Sequence, residues 1–261
     1  MQALPRPFGA LHVRVDGPED APAVVLANSL GTDLRLWDRV LPLLPRNLRL
    51  IRYDKRGHGL SACSGGTTIT DHAEDAIAVI EQMARGPVVF VGLSIGGLIA
   101  QTVAAQRPDL LRALVLSNTA ARLGTAETWQ ARIDAIRAGG LDAIADAVME
   151  RWFTPAFRAS AECALWRAML TRTPVQGYVA ACMALAHADQ RAASARLTLP
   201  TLVLAGSEDG STPPAVVQET AALITGAVYH EIPSTGHLPP VEAPAAWAAL
   251  VSPFLEAHAY D

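Results

Sequence analysis

The stretch Val88-Val-Phe-Val-Gly-Leu-Ser94-Ile-Gly-Gly97 decides how this chain folds. A run of β-branched and aromatic residues ends in G-x-S-x-G, and a helical pattern over about 94–106 follows at once, closed by Arg107-Pro108. A strand that turns into a helix over so few residues leaves no room for side chains beside the turn, which accounts for the glycines at 92 and 96. The turn is strained, and it thrusts the serine hydroxyl clear of the sheet. The helix starts there too, so its unpaired N–H groups and positive dipole end face any negative charge that develops on a bound molecule. An ordinary helix-capping serine needs no glycine on both sides. In a dinucleotide loop the middle glycine of G-x-G-x-x-G would fall on Ser94 itself, and a phosphate-binding loop would need Gly-Lys-Ser/Thr.

On either side of this stretch, short apolar runs alternate with helical patterns. The runs are Ala23-Val-Val-Leu-Ala27, Leu48-Arg-Leu-Ile-Arg-Tyr53, Pro87-Val-Val-Phe-Val91, Ala113-Leu-Val-Leu116, Thr201-Leu-Val-Leu-Ala205 and Val228-Tyr-His-Glu-Ile232. Continuous apolar strands between helices predict an α/β fold, with a mostly parallel sheet covered by helices on both faces. Leu11-His-Val-Arg-Val15 alternates apolar with polar, as a half-exposed antiparallel edge strand does. Helices are expected from Asp71, with Glu74 completing a capping box, to before Gly86; from Pro213-Pro214 to before Gly226; and over 243–258. Between 121 and 193 no strand is legible. Helical patterns over 126–138, 141–152, 162–171 and 175–187 are broken at Gly139-Gly140, Thr154-Pro155 and Thr173-Pro174. This predicts a core domain of residues 1–120 and 194–261, with 121–193 inserted as a helical cap over the sheet's carboxyl edge.

Composition narrows the function. With 51% hydrophobic residues and 18% charged, the 261-residue chain can bury enough surface to offset its ordering entropy, so disorder is excluded. The formal charge of -4, without a basic block, argues against a nucleic-acid partner. Three cysteines, Cys63, Cys163 and Cys182, with no CxxC pair or histidine at ligand spacing, predict neither a disulfide framework nor a metal site, and no motif calls for a cofactor. No apolar run reaches the roughly 18 residues of a membrane helix, and the first ten residues lack a signal-peptide core, so a cytoplasmic protein is expected. Lys55 is the only lysine among 21 basic residues, which reads first as a compositional bias. Arginine nevertheless binds carboxylates with a planar fork that lysine lacks.

A nucleophilic serine needs a base, and the base an orienting acid. Gly206-Ser-Glu-Asp209 follows the penultimate strand and Ser234-Thr-Gly-His237-Leu follows the last, so the order is Ser94, Asp209, His237. His58 competes for the base, and Glu208 and Asp189 for the acid. The strand ending Leu116-Ser-Asn118 offers no carboxylate. For the oxyanion, the amide after the nucleophile, Ile95, is one expected donor, and the loop Asn28-Ser-Leu-Gly-Thr32 supplies the second at Leu30.

With these residues in view, the whole chain resembles the α/β-hydrolase superfamily, whose D-x-R-G-x-G-x-S loop is similar to Asp54-Lys-Arg-Gly-His-Gly-Leu-Ser61. Within it the chain resembles the 3-oxoadipate enol-lactonases through Asn28-Ser-Leu-Gly-Thr-Asp33, Gly92-Leu-Ser-Ile-Gly-Gly-Leu98, Asn118-Thr-Ala-Ala-Arg-Leu-Gly-Thr125 and Arg151-Trp-Phe-Thr-Pro-Ala-Phe157. Asn28-Ser29 departs from the His-Gly that most relatives carry. The resemblance implies a small anionic substrate, an enol-lactone with an acetate arm, opened to 3-oxoadipate through an acyl-enzyme in the β-ketoadipate pathway of aromatic catabolism. Arg132 is then expected to hold the carboxylate, with Trp129 beside the ring, since i to i+3 spacing puts both on one helix face. Trp152 and Arg122 are further substrate-binding candidates. A broad-specificity carboxylesterase or lactonase, or a non-catalytic ligand-binding member of the fold, remain the alternatives.

Overall fold

Apolar runs without alternation become strands buried on both faces, and β-branched side chains suit that pleated setting. The structure, a computed structural model, describes residues 1–260. Eight strands, β1 (Gln2–Arg6), β2 (Gly9–Asp16), β3 (Ala23–Ala27), β4 (Arg49–Tyr53), β5 (Val88–Leu93), β6 (Leu111–Ser117), β7 (Thr201–Gly206) and β8 (Val228–Ile232), form one sheet ordered β1-β2-β4-β3-β5-β6-β7-β8. β2 is antiparallel to both its neighbours, and every pair from β4 to β8 is parallel. Every residue of β3, β5 and β7 is buried, so the sheet is covered on both sides.

Two local expectations are corrected. Leu11-His-Val-Arg-Val15 is not the edge, because β1 pairs outside it from Gln2↔Val13 to Arg6↔Gly9. Only Leu4 of β1 is buried, so it has no apolar run to read, and Pro5 is tolerated because an edge strand can spare an N–H. Helix α1 (Ile69–Met83) starts earlier than Asp71: the Thr68 side chain accepts from the Asp71 amide while the Asp71 carboxylate accepts from the Thr68 amide. Asp71 is thus the acid of the capping box, not its cap.

The remaining helices are α2 (Ile95–Gln106), α3 (Ala126–Gly139), α4 (Asp142–Trp152), α5 (Pro155–Arg158), α6 (Glu162–Thr171), α7 (Val175–His187), α8 (Arg191–Ser194), α9 (Pro214–Leu223), α10 (Pro239–Glu242) and α11 (Pro244–His258). All of α3 to α8 fall between β6 and β7, with α3 packed on α4 and α7, and α8 on α2. Among the described residues no helix is long and apolar enough to cross a membrane. Because β3 and β5 to β8 are parallel, the loops after them emerge at one edge of the sheet. After β3 the chain passes to β4 on one side and then crosses to β5 on the other. This reversal opens a crevice at the carboxyl ends of β3 and β5, where open α/β sheets place their ligands.

Candidate functional site

Ser94 sits between β5 and α2 with φ 58 and ψ -119, a conformation that costs a non-glycine residue about 1–3 kcal/mol. The surroundings enforce it. A Cβ at Gly92 would overlap the Gly96 carbonyl, and one at Gly96 would overlap the Ala27 carbonyl, so the elbow closes only with glycine at both places. The Ser94 amide donates to the Ser117 carbonyl at 3.1 Å, and its own carbonyl accepts from the Thr119 hydroxyl at 2.6 Å. Its side chain makes no capping bond to α2 and is left for other work.

His237 and Asp209 come together as their strand positions require. The His237 Nδ1 lies 2.8 Å from the Asp209 Oδ2, and both side chains are buried. Asp209 is held by five groups: the amides of Ser211 (2.7 Å) and Thr212 (2.8 Å) on Oδ1, and the Thr212 hydroxyl (2.7 Å), the Asn118 amide nitrogen (2.9 Å) and His237 on Oδ2. Burial alone would raise the Asp209 pKa. The attraction of the His237 ring and the bonds from His237 and Thr212 outweigh it, and the carboxyl stays below its ordinary value. The competitors drop out on geometry. Glu208 is exposed and Asp189 pairs with Arg191, while His58 is buried against the Arg56 carbonyl and stacked on Tyr178.

Ser94 and His237 line one cavity of about 190 Å³ together with Ser29, Leu30, Trp129, Arg132, Trp152 and Tyr178. Among the described residues the amides of Leu30 and Ile95 make no backbone hydrogen bond, which leaves both as donors. The carbon of the Arg132 guanidinium lies 4.7 Å from the centre of the Trp129 ring, as the shared helix face predicts. Arg122 is not in the cavity. It is exposed and lines a separate groove with Arg191 and Glu219, because the chain turns between it and α3, so a place just before a helix does not aim a side chain along it.

The structure adds residues that the sequence did not assign. Arg151, at the end of α4, lines the cavity beside Arg132. Its pKa is lowered by burial and by the neighbouring Arg132 charge, and neither arginine has a carboxylate partner among the described residues. Tyr178 of α7 is pushed up to about 12 by burial, against the pull of both arginines, and stays a neutral phenol. Segment 151–154 is bonded to the loops that carry Asp209 and His237. The Arg151 carbonyl accepts from the Gly210 amide at 3.1 Å and the Trp152 carbonyl from the His237 amide at 2.7 Å. Glu242 accepts from the Thr154 amide at 3.1 Å and the Gly236 amide at 2.9 Å, and also from the Thr154 hydroxyl. Arg151-Trp152 next to a proline break was the available signal for this segment. Nothing local marks Glu242.

Comparison with known proteins agrees with this architecture. A model of the alpha/beta hydrolase family matches residues 24–250. The chain is 36% identical over 201 residues to 3-oxoadipate enol-lactonase 1 of Acinetobacter baylyi, covering 76% of each protein. It is 34% identical over 241 residues to 3-oxoadipate enol-lactonase 2 of the same organism, covering 91% of this chain and 90% of that one. Among solved structures, the enol-lactonase from Burkholderia xenovorans LB400 superposes with a TM-score of 0.91 at 37% identity, over 95% of this chain and 96% of that one. With a serine at a strand-to-helix elbow and a bonded aspartate and histidine on the loops after β7 and β8 at the same sheet edge, the chain belongs to the alpha/beta hydrolase family of enzymes.

Proposed function

We propose that the chain opens the lactone ring of 3-oxoadipate enol-lactone to give 3-oxoadipate, in the catabolism of aromatic compounds. The observation that carries this reading is a pair of guanidinium groups, Arg132 and Arg151, without carboxylate partners among the described residues, in the same small cavity as Ser94 and His237. Two like charges held close are costly until an anion joins them, and a desolvated carboxylate is equally costly without a cation. The enol-lactones named among the relatives supply the matching substrate class.

In this reading the Ser94 Oγ attacks the ring carbonyl carbon while His237 Nε2 takes its proton, and Asp209 holds the ring through Nδ1. The carbonyl oxygen becomes an oxyanion received by the Leu30 and Ile95 amides. Collapse breaks the ring C–O bond, and the enol oxygen leaves with the proton from His237. The fragment stays tethered as an acyl-enzyme until water, deprotonated by His237, attacks the ester carbon and Ser94 departs with the proton. The enol then tautomerises to the ketone, which discourages reclosure. Helices α3 to α8 act as a cap that supplies Trp129, Arg132, Arg151, Trp152 and Tyr178. Three free thiols suit a reducing cytoplasm.

Arg132→Ala and Arg151→Ala test the carboxylate assignment. Each should lower kcat/KM on the enol-lactone about 10- to 100-fold and leave a neutral p-nitrophenyl ester within about threefold, since a charge-assisted bond contributes about 1.5–3 kcal/mol. Arg122→Ala should change neither. Equal losses on both substrates would make the chain a broad-specificity esterase instead.

A further inference from the structure

Lys55, the one lysine of the sequence, is 1% exposed and makes no ion pair among the described residues. Its Nζ donates to the Ser29 carbonyl at 2.6 Å and the Thr32 carbonyl at 3.4 Å. The nearby carboxylates are engaged elsewhere: Asp54 accepts from the Leu34 and Leu60 amides and contacts His12, and Asp33 pairs with Arg35. An ammonium buried without a counterion is expensive, and two loop carbonyls do not require a charge to satisfy them.

The Ser29 carbonyl and the Leu30 N–H belong to one peptide group. In a trans peptide these bonds point in opposite directions, and no peptide bond among the described residues is cis. A cation on the oxygen draws electrons from the nitrogen and makes its N–H a stronger donor. We propose that Lys55 is a positioning residue for the oxyanion site, its ammonium orienting and polarising the Ser29–Leu30 peptide so that the Leu30 amide stabilises negative charge more strongly than an unassisted amide would. The proposal rests on the assignment of Leu30 as an oxyanion donor above.

A consequence is dependence on pH. Burial lowers the Lys55 pKa to about 7, against the attraction of Asp54 and Asp33, so the charge is present below neutrality and lost above it. The two buried histidines near it do not share that titration. Burial pushes His58 well below its ordinary value, with the Lys55 charge adding to the effect, and lowers His72 of α1 to about 3. Tyr178, stacked on His58, stays neutral, and Arg56 is held by Asp75.

The test is kcat and KM of wild type, Lys55→Met, Lys55→Gln and Ser94→Ala on the enol-lactone between pH 5.5 and 9. Wild type should lose kcat as pH rises through about 7, the limb belonging to the ammonium. Lys55→Met and Lys55→Gln, which fill the space without a charge, should lower kcat at pH 6 by about 10- to 100-fold, less than or comparable to losing an oxyanion donor outright, with KM within about threefold. Neither should keep the descending limb. A merely structural lysine would move stability and KM but create no such limb. The proposal is overturned if wild-type kcat stays flat from pH 6 to 9, a result that needs no variant to fold. It is also overturned if folded Lys55→Met keeps its kcat within twofold. Ser94→Ala separates the two claims: its inactivity beside an unaffected Lys55→Met retains the hydrolase reading and removes only this proposal.

Discussion

Asp209 shows how much of a site can rest on one side chain. Its two oxygens collect five hydrogen bonds, three of them from Ser211 and Thr212 directly downstream, and the short segment Asp209-Gly-Ser-Thr212 folds around the carboxylate before His237 arrives. Asp209→Asn should therefore keep the fold and drop kcat by about four orders of magnitude, because the imidazole then settles in the wrong tautomer. Stability should respond as well. A carboxyl whose folded pKa lies below its unfolded value stabilises the fold above the unfolded value, near 4, and that contribution is lost as pH falls through the folded one. Acid titration of stability, followed by urea unfolding, should be shallower below pH 4 in Asp209→Asn than in wild type. The placement of Ser94, Asp209 and His237 at one sheet edge was legible because each follows a strand. Arg151 and Lys55 were not, since burial decides their meaning. The lone lysine reads as composition until its ammonium is found beneath the Ser29 carbonyl.

Among the elements, residues 151–154 matter most, a segment made of the end of α4 and the turn into α5. It presents Arg151 and Trp152 to the cavity while its backbone is bonded to the loops bearing Asp209 and His237. Glu242 in α10 secures the arrangement by accepting from Gly236, next to His237, and from Thr154. Glu242→Ala should leave two partly buried amides unpaired. A loss of about 1–3 kcal/mol in urea unfolding follows, with reduced kcat on lactone and neutral ester alike, because the loop that carries His237 is loosened. Undiminished kcat on both would show that the His237 loop holds its place without this strut. Periodicity predicted α3, α4, α6 and α7 to within a residue or so. It missed α5, α8, α10 and β1, short elements with too few residues for a period to show and set by tertiary contacts.

At the scale of the molecule, the reversal of strand order between β3 and β5 puts the loop of residues 28–32 and the serine elbow side by side, and β6 to β8 bring Asn118, Asp209 and His237 to the same edge. That layout was legible from the alternation of apolar strands and helices. Which side chains between β6 and β7 would point at the edge was not, because helix packing and not sequence order selects them, as the different fates of Arg122 and Arg132 show. The net charge of -4 describes the outer surface, while the cavity holds two cations. The central claim is that this layout hydrolyses the enol-lactone through Ser94, and the most direct measurement is the rate of lactone disappearance with purified wild type and Ser94→Ala at equal concentration. The account predicts steady turnover by wild type and a loss of at least about 10⁴-fold in kcat for the variant. A Ser94→Ala rate within tenfold of wild type, or no lactone turnover by wild type, would contradict it.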